Sequence, residues 1–224
     1  MSEALWLAID TATDVASVAL GAGVTVRAQE STRGARRHAA EIVPLIDRVL
    51  KSGGCRAADL AGVVVADGPG SFTGLRIGWA AAKALVHAAD LPLQTIPSLM
   101  AAAATLARNG GTDPVAVCYD ALRGQVYGAV YRFHADSVET LVAPGVFTLE
   151  ELAQRTAARP RLVPLDGLEL NAVQILSLLN RAGAARPLPD PMTAEPAYGR
   201  PAEAQVKWEA RHGRALPHPP GTSG

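Results

Sequence analysis

The chain lacks a surplus of charge of either sign. Its 21 Lys and Arg balance 21 Asp and Glu, for a formal net charge of +0. No global field therefore draws it to nucleic acid or to an anionic membrane. Lysine is scarce (Lys51, Lys83 and Lys207), so arginine carries the basic charge. Cysteine is limited to Cys55 and Cys118, with no CxxC. That excludes a disulfide framework and a cysteine zinc site, and makes two free thiols in a cytoplasmic protein the expectation. Aromatics make up only 4% of the residues. The core must then be built from Ala, Val, Leu and Ile, in closely packed elements. No apolar run reaches the roughly 18 residues of a membrane span. The first residues carry no basic n-region, so no signal peptide is expected.

What remains is ordinary for a folded α/β chain: 49% apolar and 19% charged over 224 residues. An apolar run at 5–9 ends at Asp10, 11–14 are turn formers, and runs at 15–20 and 24–28 complete a three-stranded meander. Residues 36–51 switch to helical period, with Ala39, Ile42, Val43, Ile46, Val49 and Leu50 on one face and Pro44 expected to kink it. A strand at 59–66 leads into Gly68-Pro69-Gly70-Ser71, then a helix over 72–89, a short strand at 93–96 and an alanine-rich helix over 98–108. The polar, glycine-rich stretch 109–114 is the expected boundary between an N-terminal unit, 1–108, and a smaller one, 109–212. Residues 213–224, rich in Pro and Gly, are expected to form a disordered tail.

The two units echo one another. Aligning Asp10 with Asp120 superposes strand, acid, turn and strand, 110 residues apart, with Ala19 opposite Ala129. Such a duplication predicts two related subdomains with a cleft between them. In an actin-like nucleotide fold, Asp10, Thr11 and Asp120 would mark phosphate hairpins, here expected to be vestigial; the favoured reading is plain turn residues, with the acids capping their own loops.

The 68–78 stretch carries Gly70, Gly74 and Gly78, and Ala82 follows four residues on. Positions four apart share one helix face. Each helical glycine costs roughly 0.5–1 kcal/mol against alanine, so the ridge implies close contact with a helix, a second chain or a phosphate. Ser71 suits an N-cap. No Gly-Lys-Ser/Thr follows, so this is not a Walker A loop, and Thr73 stands where a nucleophile elbow needs glycine. His38 has Glu41 and Ile42 at i+3 and i+4, not a second histidine, and no metal site is expected. Arg33, Arg36 and Arg37 form a basic stretch at a helix start, suited to a partner's acid, to a phosphate or simply to solvent.

Leu-Ala-Ile-Asp-Thr-Ala-Thr (7–13), Ile-Val-Pro-Leu-Ile-Asp (42–47), Gly-Pro-Gly-Ser-Phe-Thr-Gly-Leu-Arg-Ile-Gly (68–78), Asp-Ala-Leu-Arg-Gly-Gln-Val-Tyr (120–127) and Pro-Ala-Tyr-Gly-Arg (196–200) resemble the TsaB, or YeaZ, family. The resemblance runs from about residue 5 to 209. It implies an α/β, actin/Hsp70-like (ASKHA) fold of two RNase H-like subdomains, with mixed sheets flanked by helices. It implies a non-catalytic subunit supporting TsaD in threonylcarbamoylation of tRNA adenosine 37. TsaD holds its metal with two histidines four apart; here the second position is Ile42. The helices 36–51 and 72–89 would form the partner surface, in a four-helix bundle with TsaD. The expected contacts are Gly70, Phe72, Gly74, Leu75, Gly78, Ala82, His38, Ile42 and Ile46. In isolation the same surface would give a homodimer. TsaE, an ATPase, would join through the complex, and tRNA would be contacted indirectly. The chain would need no cofactor of its own, with ATP or ADP at the interface with TsaD left open. Two departures stand out: Asp67 replaces the Arg or Gly often found there, and 134–190 match weakly. The second subdomain is therefore expected to be reduced. One competing reading is an ATP-dependent enzyme built on the paired acidic hairpins; the other, a metallopeptidase, has only family kinship behind it and is not expected, because Ile42 stands at the second histidine position.

Overall fold

The computed structural model describes residues 4–107, 113–121, 124–156, 161–162, 171–199 and 211–213. The first strands form a meander: β1 (Trp6–Asp10), β2 (Val15–Ala22) and β3 (Thr25–Arg33). Helix α1 (His38–Ser52) leads to β4 (Gly62–Ala66), which lies parallel to β1. Helix α2 (Phe72–Ala89), β5 (Leu93–Ile96) and α3 (Ser98–Leu106) follow. The second half repeats the plan with β6 (Val115–Asp120), β7 (Val126–Phe133), β8 (Val138–Phe147), α4 (Leu149–Gln154) and β9 (Arg161–Leu162), the last parallel to β6. Helix α5 (Ala172–Leu178) and β10 (Arg186–Leu188) close the described chain, apart from a short C-terminal stretch.

Two sheets result, ordered β10-β5-β4-β1-β2-β3 and β8-β7-β6-β9. Helices α1 and α2 cover the outer face of the first sheet, and α4 covers the outer face of the second. Helices α3 and α5 form a layer between them. Strand parity sorts the side chains among these layers, because neighbours on a strand face opposite ways. Leu7, Ile9, Val18, Leu20, Val63 and Val65 pack under α1 and α2. Ala8, Ala19, Val64, Val117, Tyr119 and Ala129 face the middle layer.

The division at 109 needs a qualification. It does separate the two sheets. However, α5 packs on β1 and β2, and β10 pairs with β5, so the chain beyond residue 171 returns to the first sheet. The predicted tail, 213–224, lies outside the described residues except for Gly213. Pro44 is accommodated inside one continuous α1, at an exposed position.

The segment after β10 is tied down at Asp67. Its carboxylate is nearly buried and accepts hydrogen bonds from the Arg186 guanidinium at 3.0 Å, the Ala197 N–H at 3.2 Å and the Thr95 hydroxyl at 3.4 Å. Burial raises the Asp67 pKa, and the adjacent Arg186 charge opposes the rise. Arg186→Met should strand this carboxylate. A loss of about 1 kcal/mol is expected by urea unfolding at neutral pH, tempered because Arg186 is exposed to solvent.

Candidate functional site

Asp10 ends β1 on the side facing the middle layer, and it is fully buried. Its Oδ1 accepts the Ala12 N–H at 2.9 Å, while Oδ2 has no partner. Burial pushes its pKa up to about 6. Above that pH the native state holds an ionised, dehydrated acid. Because the native pKa lies above the ordinary carboxylate value, the folded chain binds this proton more tightly than the unfolded chain. The stabilisation is complete below about pH 4 and is lost as pH rises through 6. Asp10→Asn should therefore gain on the wild type by about 2–3 kcal/mol between pH 4 and pH 7. Urea unfolding across that range is the measurement.

The hairpin at Asp10 is occupied by the chain itself. Gly70, Gly74 and Gly78 lie against it. A Cβ at Gly70 would sit 2.5 Å from the Ala12 carbonyl oxygen; one at Gly74 would run into the Thr11 carbonyl, and one at Gly78 into the Thr11 hydroxyl. The Thr11 hydroxyl donates to the Gly74 carbonyl at 2.7 Å, and the Ser71 N–H donates to the Ala12 carbonyl at 2.7 Å. Ser71 caps α2 by accepting the Gly74 N–H. The Gly68 N–H is held by the Ser98 hydroxyl. The Gly68, Ser71 and Gly74 amides are thus committed within the chain, and the glycines serve close packing.

The second hairpin departs from the first by one residue. Asp10 pairs with Ser17, and the equivalent rung pairs Tyr119 with Tyr127. Tyr119, not Asp120, shares the middle layer with Ala8 and Val117. A one-residue slip turns every side chain to the other face. Asp120 is consequently exposed, and burial raises the Tyr119 pKa, with the Asp10 charge adding to the rise. The duplication is real, but it does not juxtapose two carboxylates. Asp10, Thr11 and Asp120 do not form an open phosphate site in this structure.

The expected partner contacts are also relocated. Gly74, Leu75, Gly78, Ala82, Ile42, Ile46 and His38 are all buried within the chain, and Gly70 is pressed on Ala12. Phe72 is half-buried and stacks on Tyr198. His38 Nε2 lies 3.1 Å from the Asp14 carbonyl, to which it can only donate, and Nδ1 has no partner. With Ile42 in the core one turn later, His38 serves the packing of α1 against the β1–β2 turn. Among the described residues no three His, Cys, Asp or Glu side chains are grouped as a metal would require.

What the two helices leave outside is different. Helix α1 exposes Ala39, Ala40, Val43 and Pro44, and Val43 is 64% exposed despite its place in the predicted apolar face. Helix α2 exposes Thr73, Ala80 and Ala84, with Ile77, Ala81 and Leu85 half-buried beside them. These recur at three- and four-residue spacing along one stripe. Small side chains at 80, 81 and 84 let another helix come close. Several charges around the stripe are paired, Arg37 with Glu41 at 3.2 Å, Lys51 with Asp47 at 2.7 Å and Arg33 with Asp14 at 3.1 Å, whereas exposed Arg76 has no acid beside it among the described residues. The signal for this face was in the sequence, but the glycines masked it.

A family model described as TsaD, tRNA N6-adenosine threonylcarbamoyltransferase, matches residues 28–170. A TsaB protein of Bacillus subtilis is 31% identical over 225 aligned positions, covering 90% of this chain and 96% of that one. Escherichia coli TsaB is 36% identical over 146 residues, covering 62% of this chain and 63% of its own length. A solved structure of an uncharacterized Pseudomonas aeruginosa protein, described as similar to peptidase YEAZ, superposes with a TM-score of 0.72 at 23% identity, covering 88% of this chain and all of that one. Two sheets of one repeated plan, helices outside and a shared helical layer between, define an actin-like α/β fold. The chain belongs to the TsaB (YeaZ) family, within the wider family that the TsaD model describes. No helix among the described residues is long and apolar enough to cross a membrane.

Proposed function

We propose that this chain is a non-catalytic subunit of the machinery that makes threonylcarbamoyladenosine in tRNA, and that it binds a TsaD-family transferase through the outer face of α1 and α2. The observation that carries this reading is the stripe of Val43, Pro44, Ile77, Ala80, Ala81 and Ala84, an uncharged two-helix face with small side chains at its centre. Such a face suits a pair of helices packed at close range. The names of the Escherichia coli and Bacillus subtilis relatives, threonylcarbamoyladenosine biosynthesis proteins, supply the pathway. Without its partner the chain pairs with a second copy through the same face. An ATPase of the TsaE type joins through the complex, and tRNA is met by the complex as a whole. Any nucleotide sits at the contact with the partner, not in the closed hairpin at Asp10.

The reading of the chain as an ATP-dependent enzyme has less support, because Asp10 is buried and Asp120 faces elsewhere. Depletion of the chain in its own cell tests the proposal. Nucleoside mass spectrometry of bulk tRNA should show loss of threonylcarbamoyladenosine, restored by the wild-type chain and by Asp10→Asn. Unchanged modification on depletion would refute the pathway assignment. Failure of Asp10→Asn alone to restore it, with the variant folded, would favour the enzyme reading.

A further inference from the structure

Arg76 stands one turn into α2, beside the outer stripe, four residues before Ala80. Its guanidinium carbon lies 4.3 Å from the Phe72 ring centre and 5.7 Å from that of Tyr198. The two rings are 4.4 Å apart, and Arg76 Nε donates to the Tyr198 hydroxyl at 3.1 Å. Tyr198 is itself held in place. Lys83 Nζ bonds the carbonyls of Met192 and Ala194 just upstream, and Asp67 bonds the Ala197 N–H. Exposed arginines usually sample many rotamers, whereas this one is fixed at its root and along its plane. Among the described residues no carboxylate lies within ion-pairing distance of Arg76, and its terminal amino groups have no acceptor. Arg33, Arg37 and Arg48, by contrast, all face acids.

We propose that Arg76, laid against Phe72 and Tyr198, is a carboxylate receptor at the rim of the α1–α2 face, and that it takes an Asp or Glu side chain of the protein docked there. This rests on the docking reading above. A guanidinium presents two parallel N–H groups that match one carboxylate, and holding it in advance lowers the entropy lost on binding. Arginine and tyrosine are also the side chains that most often anchor interfaces. A nucleic-acid phosphate would be held in the same way. The surroundings favour protein: the neighbouring stripe is apolar, and among the described residues Arg33 and Arg37 are each paired with an acid, which leaves them poorly suited to tracking a phosphate backbone.

Calorimetric titration of the full chain with the TsaD-family protein of the same cell, at low and high salt, tests this. The variants are Arg76→Ala, Arg76→Lys and Tyr198→Phe, with Val43→Asp as the reference for the helix face and thermal melts to confirm folding. Arg76→Ala should weaken binding about 10–100-fold and flatten the salt dependence. Arg76→Lys keeps the charge and much of the stacking but loses the fork, and should fall within about threefold of the alanine variant. Tyr198→Phe, which frees Nε, should lose about 3–10-fold. If Val43→Asp abolishes binding while both Arg76 variants bind as wild type, the receptor is refuted and the docking face stands. If the wild type does not bind, or Val43→Asp binds as wild type, the docking reading fails and the receptor with it. If the Arg76 variants keep partner affinity but weaken a gel shift with tRNA, the site is a phosphate contact and the proposal is overturned.

Discussion

Gly74→Leu is expected to unfold the protein and not merely to cost it a partner. The position lies on α2 where the helix crosses the β1–β2 turn, and a Cβ there would meet the Thr11 carbonyl oxygen. Backbone cannot yield as a long side chain can. The same Thr11 donates its hydroxyl to the Gly74 carbonyl at 2.7 Å, so a leucine would also break that bond. Gly78 is pressed on the Thr11 hydroxyl, so the helix has no room to roll aside. Overpacking a rigid interior typically costs 1–3 kcal/mol, and here backbone on both sides and a lost hydrogen bond add to it. A loss on the order of 3 kcal/mol or more is expected, a large share of the stability of an ordinary domain. Urea denaturation of Gly74→Leu against Gly74→Ala would show it, with alanine intermediate. A leucine variant as stable as the wild type, yet unable to bind a partner, would return the glycine ridge to the surface.

Val43→Asp should do the reverse. Val43 is the most exposed large apolar residue of α1, and nothing in the core depends on it. Surface changes of this kind move stability by about 0.5 kcal/mol or less. Placed at the centre of a packed four-helix contact, however, the carboxylate would lose its water with no cation opposite. Loss of affinity for the TsaD-family partner of at least about 100-fold is expected, together with loss of any self-associated form. Sedimentation velocity of the variant, alone and mixed with the partner, reads both effects. The contrast between the two substitutions separates the inner and outer faces of the same pair of helices.

Much of this fold is legible in the residues. The strand at 93–96 and the helix at 72–89 fall where β-branched runs and helical spacing put them, and Ser71 caps α2 as its place before the apolar spacing implies. Strands β8 and β10 carry little sequence signal, for physical reasons. Strand β8 is an edge, mostly exposed, and carries Pro144 and Gly145; β10 is three residues long and contains Pro187. Neither shows the apolar alternation that marks a strand.

The candidate site was harder to read because sequence gives spacing and not direction. Glycines four apart announce close approach, but the approaching backbone proved to be the chain's own Thr11–Ala12 turn. Helical period groups Val43 with Ile42 and Ile46, yet Val43 falls on the solvent side, while Ile42 and Ile46 are buried. The alignment of Asp10 with Asp120 was one residue from the true correspondence. Because strand parity has period two, that residue separates a buried acid from an exposed one.

The most direct test of the outer-face assignment is amide hydrogen exchange on the full chain, alone and saturated with the TsaD-family partner. Protection should rise along residues 38–47 of α1 and 73–84 of α2, while β7 and β8 stay unchanged. Protection confined to the second sheet, with both helices exchanging as in the free chain, would contradict the assignment.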